Sequence, residues 1–277
     1  MAPARLPRRR PLLTYHELVA RDCKYLYSSS CDQLRWHLQV LRECFGAPGA
    51  GSSLPVSFDD GHASHYRYAL PLLEEFSQKA IFFALAGYMG GRPQSMTWPQ
   101  LRELVSLGHQ VQSHGWSHIP LTHCDDETLR AELTKSKATL EDKLAHPVDS
   151  ISIPFGRWNR KVLDACACAG YTHVYISNPF LTSTARRGVV LHGRLMVQRN
   201  FDAADLRRFL AAGSASWLTM RAKTQTKRIA RSLVGDRLYH ALWCKLAAGE
   251  ASADIHDEYR GAQPAGNSVT GEGGPRA

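Results

Sequence analysis

The 277-residue chain contains no uninterrupted apolar run of about eighteen residues, the length a membrane-spanning helix needs. Its basic, Pro-rich start, Met1 to Arg10, is not followed by the apolar stretch of a secretory leader. A cytoplasmic location is therefore expected, with peripheral contact at the inner membrane as a second expectation. No C-x-x-C pair occurs. The seven cysteines, Cys23, Cys31, Cys44, Cys124, Cys166, Cys168 and Cys244, are odd in number and dispersed, and read as reduced, mostly buried thiols rather than a metal or disulfide framework. No internal repeat is visible.

Apolar residues make up 44% of the chain, enough for a sizeable core. The formal charge is +9, with the excess at Arg5 to Arg10 and from Arg186 to Lys245, while Asp and Glu balance the middle from Asp59 to Asp149. Such charge can serve nucleic acid, an anionic membrane or an anionic substrate. No nucleic-acid motif accompanies it, so no nucleic-acid partner is expected.

Short apolar runs at Pro11–Tyr15, Leu54–Phe58, Ala80–Ala84, His109–Ser113, Ser150–Ile153 and Thr172–Ile176 read as strands. Between them lie helical patterns. Cys31–Phe45 has inward leucines, Ser64 can cap a helix to Ser77, and Thr97 can cap one with Pro99 in its first turn. Asp125 or Asp126 starts a helix to Leu144, and Asn159–Ala169 is closed by Gly170. Alternating strand and helix predicts an α/β fold with a parallel sheet, either a barrel or a doubly wound sheet. Phe201–Ala211 reads as a further helix. Trp217–Ala248 is rich in Arg, Lys and Leu, and Glu250–Ala277, rich in Gly, Ala, Ser and Pro, reads as disordered.

In parallel α/β folds the acting groups sit at the C-terminal ends of strands. Three strand ends carry unusual polar residues. Ser57-Phe58-Asp59-Asp60-Gly61 places two carboxylates side by side, costly unless paired, hydrated or bound to a metal; Asp-Gly is also an ordinary turn pair. Ser113-His114-Gly115-Trp116-Ser117-His118 sets two histidines four apart, weak evidence alone among thirteen histidines. Together with the aspartates they form a two-His, one-carboxylate set with room for water, the mark of a catalytic metal site. Ile153-Pro154-Phe155-Gly156-Arg157-Trp158-Asn159 is a tight loop with aromatic faces suited to sugar rings, or simply a strand-to-helix turn.

In order and approximate spacing these three motifs resemble those of the NodB-homology polysaccharide deacetylases, carbohydrate esterase family four. Supporting segments are Ala69-Leu70-Pro71-Leu72-Leu73, Ala80-Ile81-Phe82-Phe83, Met96-Thr97-Trp98-Pro99-Gln100-Leu101 and Ala169-Gly170-Tyr171, and the likeness covers about Pro11 to Asn200. It implies a distorted (β/α) barrel of about seven strands. It implies Asp59 as catalytic base, and Asp60, His114 and His118 as ligands of a divalent metal whose bound water is the nucleophile. Zinc is favoured by the imidazoles, with cobalt, nickel or manganese as alternatives. The implied reaction is hydrolysis of an N-acetyl group on an amino sugar of a surface polysaccharide or its lipid-linked precursor. Alternatives are deacylation of a non-polysaccharide amide or formyl group, and a metal-retaining glycan-binding protein with little turnover.

Two departures stand out. Ser152 occupies the place of an arginine that, in the family pattern, orients the catalytic aspartate. Val190-Leu191-His192 is the nearest match to the family's Leu-x-His, which makes His192 the expected general acid, with His16 as a second candidate; the alternative is that His192 is a strand-end residue, with Arg194 facing the site. Pro154, Phe155, Gly156 and Trp116 are the expected substrate contacts, and Trp98, Tyr66 and Trp158 either line a sugar groove or pack. The expected organisation is a basic tail at 1–10, a deacetylase barrel at 11–212, a basic helical extension at 213–248 and a disordered tail at 249–277. The basic stretch 217–248 either lies on an anionic membrane surface or packs as a solvated face.

Overall fold

The computed structural model describes residues 11–20, 25–47, 55–181, 183–211 and 215–235, together with Leu238 and Leu242. The expected tails at 1–10 and 249–277, Cys23 and Cys244, and most of the extension beyond 235 lie outside the described residues.

The chain opens with β1 (Leu13–Tyr15), two short strands β2 (Glu17–Val19) and β3 (Ser28–Ser30), and α1 (Cys31–Phe45). It continues through β4 (Val56–Phe58), α2 (Leu70–Glu75), β5 (Ile81–Ala84), α3 (Trp98–Ser106) and β6 (Gln110–Ser113). Then follow α4 (Asp126–Leu144), β7 (Ser150–Ser152), α5 (Arg160–Cys168) and β8 (His173–Ile176). The last elements are β9 (Thr184–Arg186), β10 (Val189–Gly193), β11 (Leu195–Met196), α6 (Ala203–Leu210) and α7 (Ala215–Val234). The expected caps form: Thr97 with Gln100 makes a reciprocal capping box, Asp125 accepts from the Thr128 amide, and Asn159 accepts from the Val162 amide.

Strands β1, β4, β5, β6, β7, β8 and β10 lie side by side and parallel in that order, and β9 pairs antiparallel on β10. The two ends of this order meet. β10 pairs with β8, while β11, one residue further along, pairs with β1. At the junction the Arg194 amide donates to the Ile176 carbonyl at 3.0 Å and the Leu195 amide to the Leu12 carbonyl at 2.9 Å. The run from Val189 to Met196 thus bridges both edges, giving the parallel ring of about seven strands that the resemblance implies. Gly193 permits the junction: a β-carbon there would lie 2.2 Å from the Asn178 carbonyl oxygen.

Side chains alternate across this sheet. Phe82 faces the helices and stacks on Phe58 at 5.0 Å, whereas Phe83 turns the other way and meets Tyr175 at 5.0 Å. The outer layer carries most of the apolar core, from α1, α2, α3, α4 and α5.

Three features differ from expectation. β2 and β3 form a small parallel pair of their own, since runs of three residues carry no readable period. Ser64 caps no helix: its hydroxyl accepts from the Leu18 amide at 3.0 Å, and His65–Ala69 widens into a π-turn before α2. The β9–β10 hairpin lay hidden in a segment with one apolar face. α7 begins the basic extension and is pinned by Trp217, edge-on to Phe180 at 5.4 Å, while Leu218, Val234, Leu238 and Leu242 are exposed. Among the described residues no helix is long and apolar enough to cross a membrane.

Candidate metal centre and active-site cleft

Asp59 and Asp60 follow β4 directly. Asp60 takes a left-handed backbone, φ 73°, and sends its carboxylate to the mouth of the ring, while Asp59 is buried. His114 follows β6, and the turn after it ends at His118, also left-handed at φ 58°. Phe155, at φ 59°, lays its ring 4.8 Å from that of His118. Non-glycine residues hold this conformation only where their surroundings impose it, and such positions gather at functional sites.

One ligand atom each from Asp60, His114 and His118 lies within 4.8 Å of the other two. Asp60 Oδ1 is 3.2 Å from His114 Nε2 and 3.5 Å from His118 Nε2. His114 Nδ1 lies 2.8 Å from the Ser152 carbonyl oxygen, which can only accept. The proton of neutral His114 is therefore on Nδ1, and Nε2 turns a lone pair toward the aspartate. Asp60 Oδ1 is buried with no aligned donor. Lone pairs converging on a buried carboxylate oxygen require a cation between them, so these three residues fit a divalent metal.

The electrostatics agree. Burial pushes the Asp60 carboxyl up, but the histidines around it outweigh burial and hold it far below the usual range. Burial lowers His118, to about 4. For His114 burial also works downward, yet Asp59 and Asp60 overcome it and raise the imidazole. Without an ion, the carboxylates draw a proton to the place a metal would occupy.

Asp59 belongs to a second constellation. Arg194 donates through Nη1 to Asp59 Oδ1 at 2.7 Å and through Nη2 to Oδ2 at 3.0 Å. The same Nη2 donates to Ser152 Oγ at 2.7 Å, and Ser152 Oγ donates to Asp59 Oδ2 at 3.0 Å. All three residues are buried. Burial pushes the Asp59 carboxyl up, and the Arg194 guanidinium and His114 more than reverse this, keeping it ionised.

A cleft with an empty volume of about 840 Å³, open to solvent, covers both constellations. His16, Tyr25, Tyr27, Phe155, Gly156, Arg157, Ser177 and Met196 join the five residues Asp59, Asp60, His114, His118 and Arg194 on its wall. His16 closes β1; its ring is 5.1 Å from that of Tyr27, and its Nδ1 is buried without a hydrogen-bond partner.

The expected site residues divide. Asp59, Asp60, His114, His118, Phe155 and Gly156 come together in the cleft. His192 does not line it. Its Nε2 lies 2.9 Å from His173 Nδ1 and its Nδ1 2.9 Å from Ser183 Oγ, beneath Tyr175, so both ring nitrogens are engaged away from the site. Trp116 does not line it either: its ring lies under Lys135 and against Gly87. Pro154 is buried behind the loop, facing Gly115. Tyr66 bonds Glu103, Trp98 packs on Gly90 and Trp158 lies under Arg186, all packing roles. Tyr25, Tyr27 and Ser177 lie outside the three motifs, while Arg157 lies inside the third, whose expected contacts are its neighbours Pro154, Phe155 and Gly156. Arg194 had a readable signal: it is the only charge in the run Val189–Val197, and such a charge must find a partner once buried.

Residues 47–174 match the family model for polysaccharide deacetylase. The Bacillus subtilis (strain 168) protein YxkH, whose name places it among the polysaccharide deacetylases, is 28% identical over 137 residues, 50% of this chain and 49% of its own length. A chitooligosaccharide deacetylase of Sinorhizobium fredii is 30% identical over 149 residues, 52% of this chain and 64% of its own. The chain thus spans about half to two thirds of the length of these relatives. Among solved structures, the Streptococcus pyogenes deacetylase PplD in complex with acetate superposes with a TM-score of 0.64 at 22% identity, covering 74% of this chain and 99% of that one. IcaB from Ammonifex degensii gives 0.58 at 20% identity, covering 73% and 97%. At these identities the likeness is one of fold. The matched stretch holds both aspartates, both histidines and Ser152, but not Arg194; over that stretch the chain is similar to the polysaccharide deacetylases, and it draws the arginine that pairs its buried aspartate from beyond it.

Proposed function

We propose that this protein is a metal-dependent hydrolase that removes the N-acetyl group from an amino sugar of a surface polysaccharide or its lipid-linked precursor. The observation that carries the reading is the adjacency of two differently treated carboxylates. Asp60 converges with two imidazoles on one point, and Asp59, beside it, is kept ionised by a buried arginine. A divalent ion held by Asp60, His114 and His118, with zinc favoured by this donor set, supplies Lewis-acid polarisation of the amide carbonyl and activation of water.

The chain's own residues supply the rest. Asp59 accepts the proton of the attacking water, and its orientation comes from the fork of Arg194 and from Ser152. Tyr25, Tyr27 and Phe155 offer ring faces to a sugar, and the cleft is open enough to admit one within a longer glycan. His16 is the group we assign to hold the proton for the leaving amine. It stands on the cleft wall, and its free Nδ1 has no competing partner.

The reading is tested by measuring acetate release from acetylated glucosamine oligomers by the zinc-loaded chain, beside Asp59→Asn and His114→Ala. Release by the parent, lost in Asp59→Asn with metal retained and in His114→Ala with metal lost, supports it. Full metal occupancy with no release from any acetylated amino sugar would overturn it.

A further inference from the structure

α4 carries a polar interruption in an otherwise apolar face. Its buried residues are Leu129, Glu132, Leu133, Ser136, Leu140 and Leu144. A carboxylate and a hydroxyl one helical turn apart replace leucine where the helix packs on the barrel, and burying them is costly unless each group is bonded. Both are spent on one object, the turn between His114 and His118. Glu132 Oε2 accepts from the Trp116 amide at 3.0 Å and from the Ser117 amide at 3.0 Å, and Glu132 Oε1 accepts from the Ser117 hydroxyl. Ser136 donates to the Gly115 carbonyl at 2.9 Å and lies 2.8 Å from Ser113 Oγ, which itself accepts from the Gly115 amide at 3.1 Å. The backbone groups of three consecutive residues, 115 to 117, are thus bound by two side chains of one helix. The turn ends in a conformation that a residue with a side chain rarely takes unaided: His118 is at φ 58°.

We infer that Glu132, seconded by Ser136, is a positioning residue for the metal centre: it holds the 115–117 turn so that His118 meets Asp60 and His114, and thereby sets metal affinity. The inference rests on the proposed reading of Asp60, His114 and His118 as ligands. Glu132 touches neither ion nor substrate. It acts on His118 through two amides, and a turn released from it would have to be reordered each time the ion binds. Groups that orient metal ligands commonly change affinity by about 10- to 100-fold when removed.

The test is zinc affinity of the full chain, measured by competition with a chromophoric chelator, with the thermal midpoint of the metal-free protein recorded alongside. Glu132→Ala is expected to weaken zinc binding by about 10- to 100-fold. Glu132→Gln keeps a carbonyl oxygen for the two amides, and its NH2 can donate to Ser117 Oγ, so it should recover most of the loss. Leu140→Ala is the control. It empties a fully buried site on the same helix, two turns from Glu132, so it should lower the thermal midpoint and leave zinc affinity within about two-fold. If Glu132→Ala does not fold, a Glu132→Asp chain, whose shorter carboxylate cannot span both amides and the hydroxyl, must show the weakened affinity. Affinity unchanged in the Glu132 variants, or lowered equally in Leu140→Ala, overturns the inference while the metal site stands. A parent chain that binds no zinc removes the metal site and this inference together.

Discussion

Arg194 reaches Asp59 with both ends of its guanidinium, Nη1 to Oδ1 at 2.7 Å and Nη2 to Oδ2 at 3.0 Å, from the single residue that joins β10 to β11. The residue that closes the strand ring therefore also neutralises the buried carboxylate at its centre. Ser152, where the family pattern has an arginine, fills only the gap between them. The positive charge reaches Asp59 from the strand next but one to β7, and the small hydroxyl at 152 leaves it room.

Removing that charge is expected to be severe. Arg194→Met leaves Asp59 buried and unpaired, which costs about 3–5 kcal/mol of stability and permits the carboxyl to protonate. Acetate release should fall by about 10²- to 10⁴-fold, the range of a lost general base. Urea denaturation and the pH profile check it: the acid limb of activity should move to higher pH in a milder Arg194→Lys chain.

Ser152→Ala should be far gentler. The bidentate pair survives and still holds Asp59 ionised, although two hydrogen bonds to the charged pair are lost, the one to Asp59 Oδ2 and the one from Arg194 Nη2, each worth about 1.5–3 kcal/mol. Steady-state kinetics should show a smaller loss than in any Arg194 variant. Equal losses would mean that Ser152 is as important to Asp59 as the arginine.

His192→Ala should retain most of the parent's acetate release, and His16→Ala should lose it while still binding zinc. Comparing kcat in the two variants at full metal occupancy separates the two histidines. The opposite outcome would return the proton-donor role to His192.

Metal-free stability should fall in mild acid. Burial holds the His65 pKa down at about 3, against about 6.5 in an unfolded chain. The unfolded state therefore binds the proton first, and the stability contributed by neutral His65 is full above pH 6.5 and lost as pH falls toward 3. His118, lowered to about 4, acts in the same direction, while the raised His114 acts in the opposite one. Thermal midpoints from pH 7 to pH 4.5 should decline in the parent and less steeply in His65→Gln, whose amide can still donate to the His16 carbonyl.

Gly156→Ala should damage the cleft wall. At φ 63° a β-carbon would lie 2.4 Å from Ser177 Oγ and 2.9 Å from its backbone nitrogen. Strain of this kind is worth about 1–3 kcal/mol. Because the backbone contact remains when Ser177 is shortened, a Gly156→Ala, Ser177→Gly chain should recover only part of the lost thermal stability.

The sequence alone determined the alternation of apolar strands and capped helices, hence a parallel α/β fold, because periodicity and capping are local. The same locality made the metal ligands legible. Asp60, His114 and His118 sit directly after strands, or one turn beyond, where a parallel sheet must bring them to one end. Only the tertiary structure decided what pairs Asp59, since residues 59, 152 and 194 are joined by strand order around a ring, which no sequence spacing records. It also decided which aromatics face the cleft: Tyr25, Tyr27 and Phe155 do, while Trp116 does not. A ring buried against a neighbour and a ring offered to a sugar have the same sequence, and only the packing around each one distinguishes them. His192 shows the limit of motif matching. Its ring is engaged by His173 and Ser183 away from the site, while Arg194, two residues on at the junction of β10 and β11, reaches Asp59.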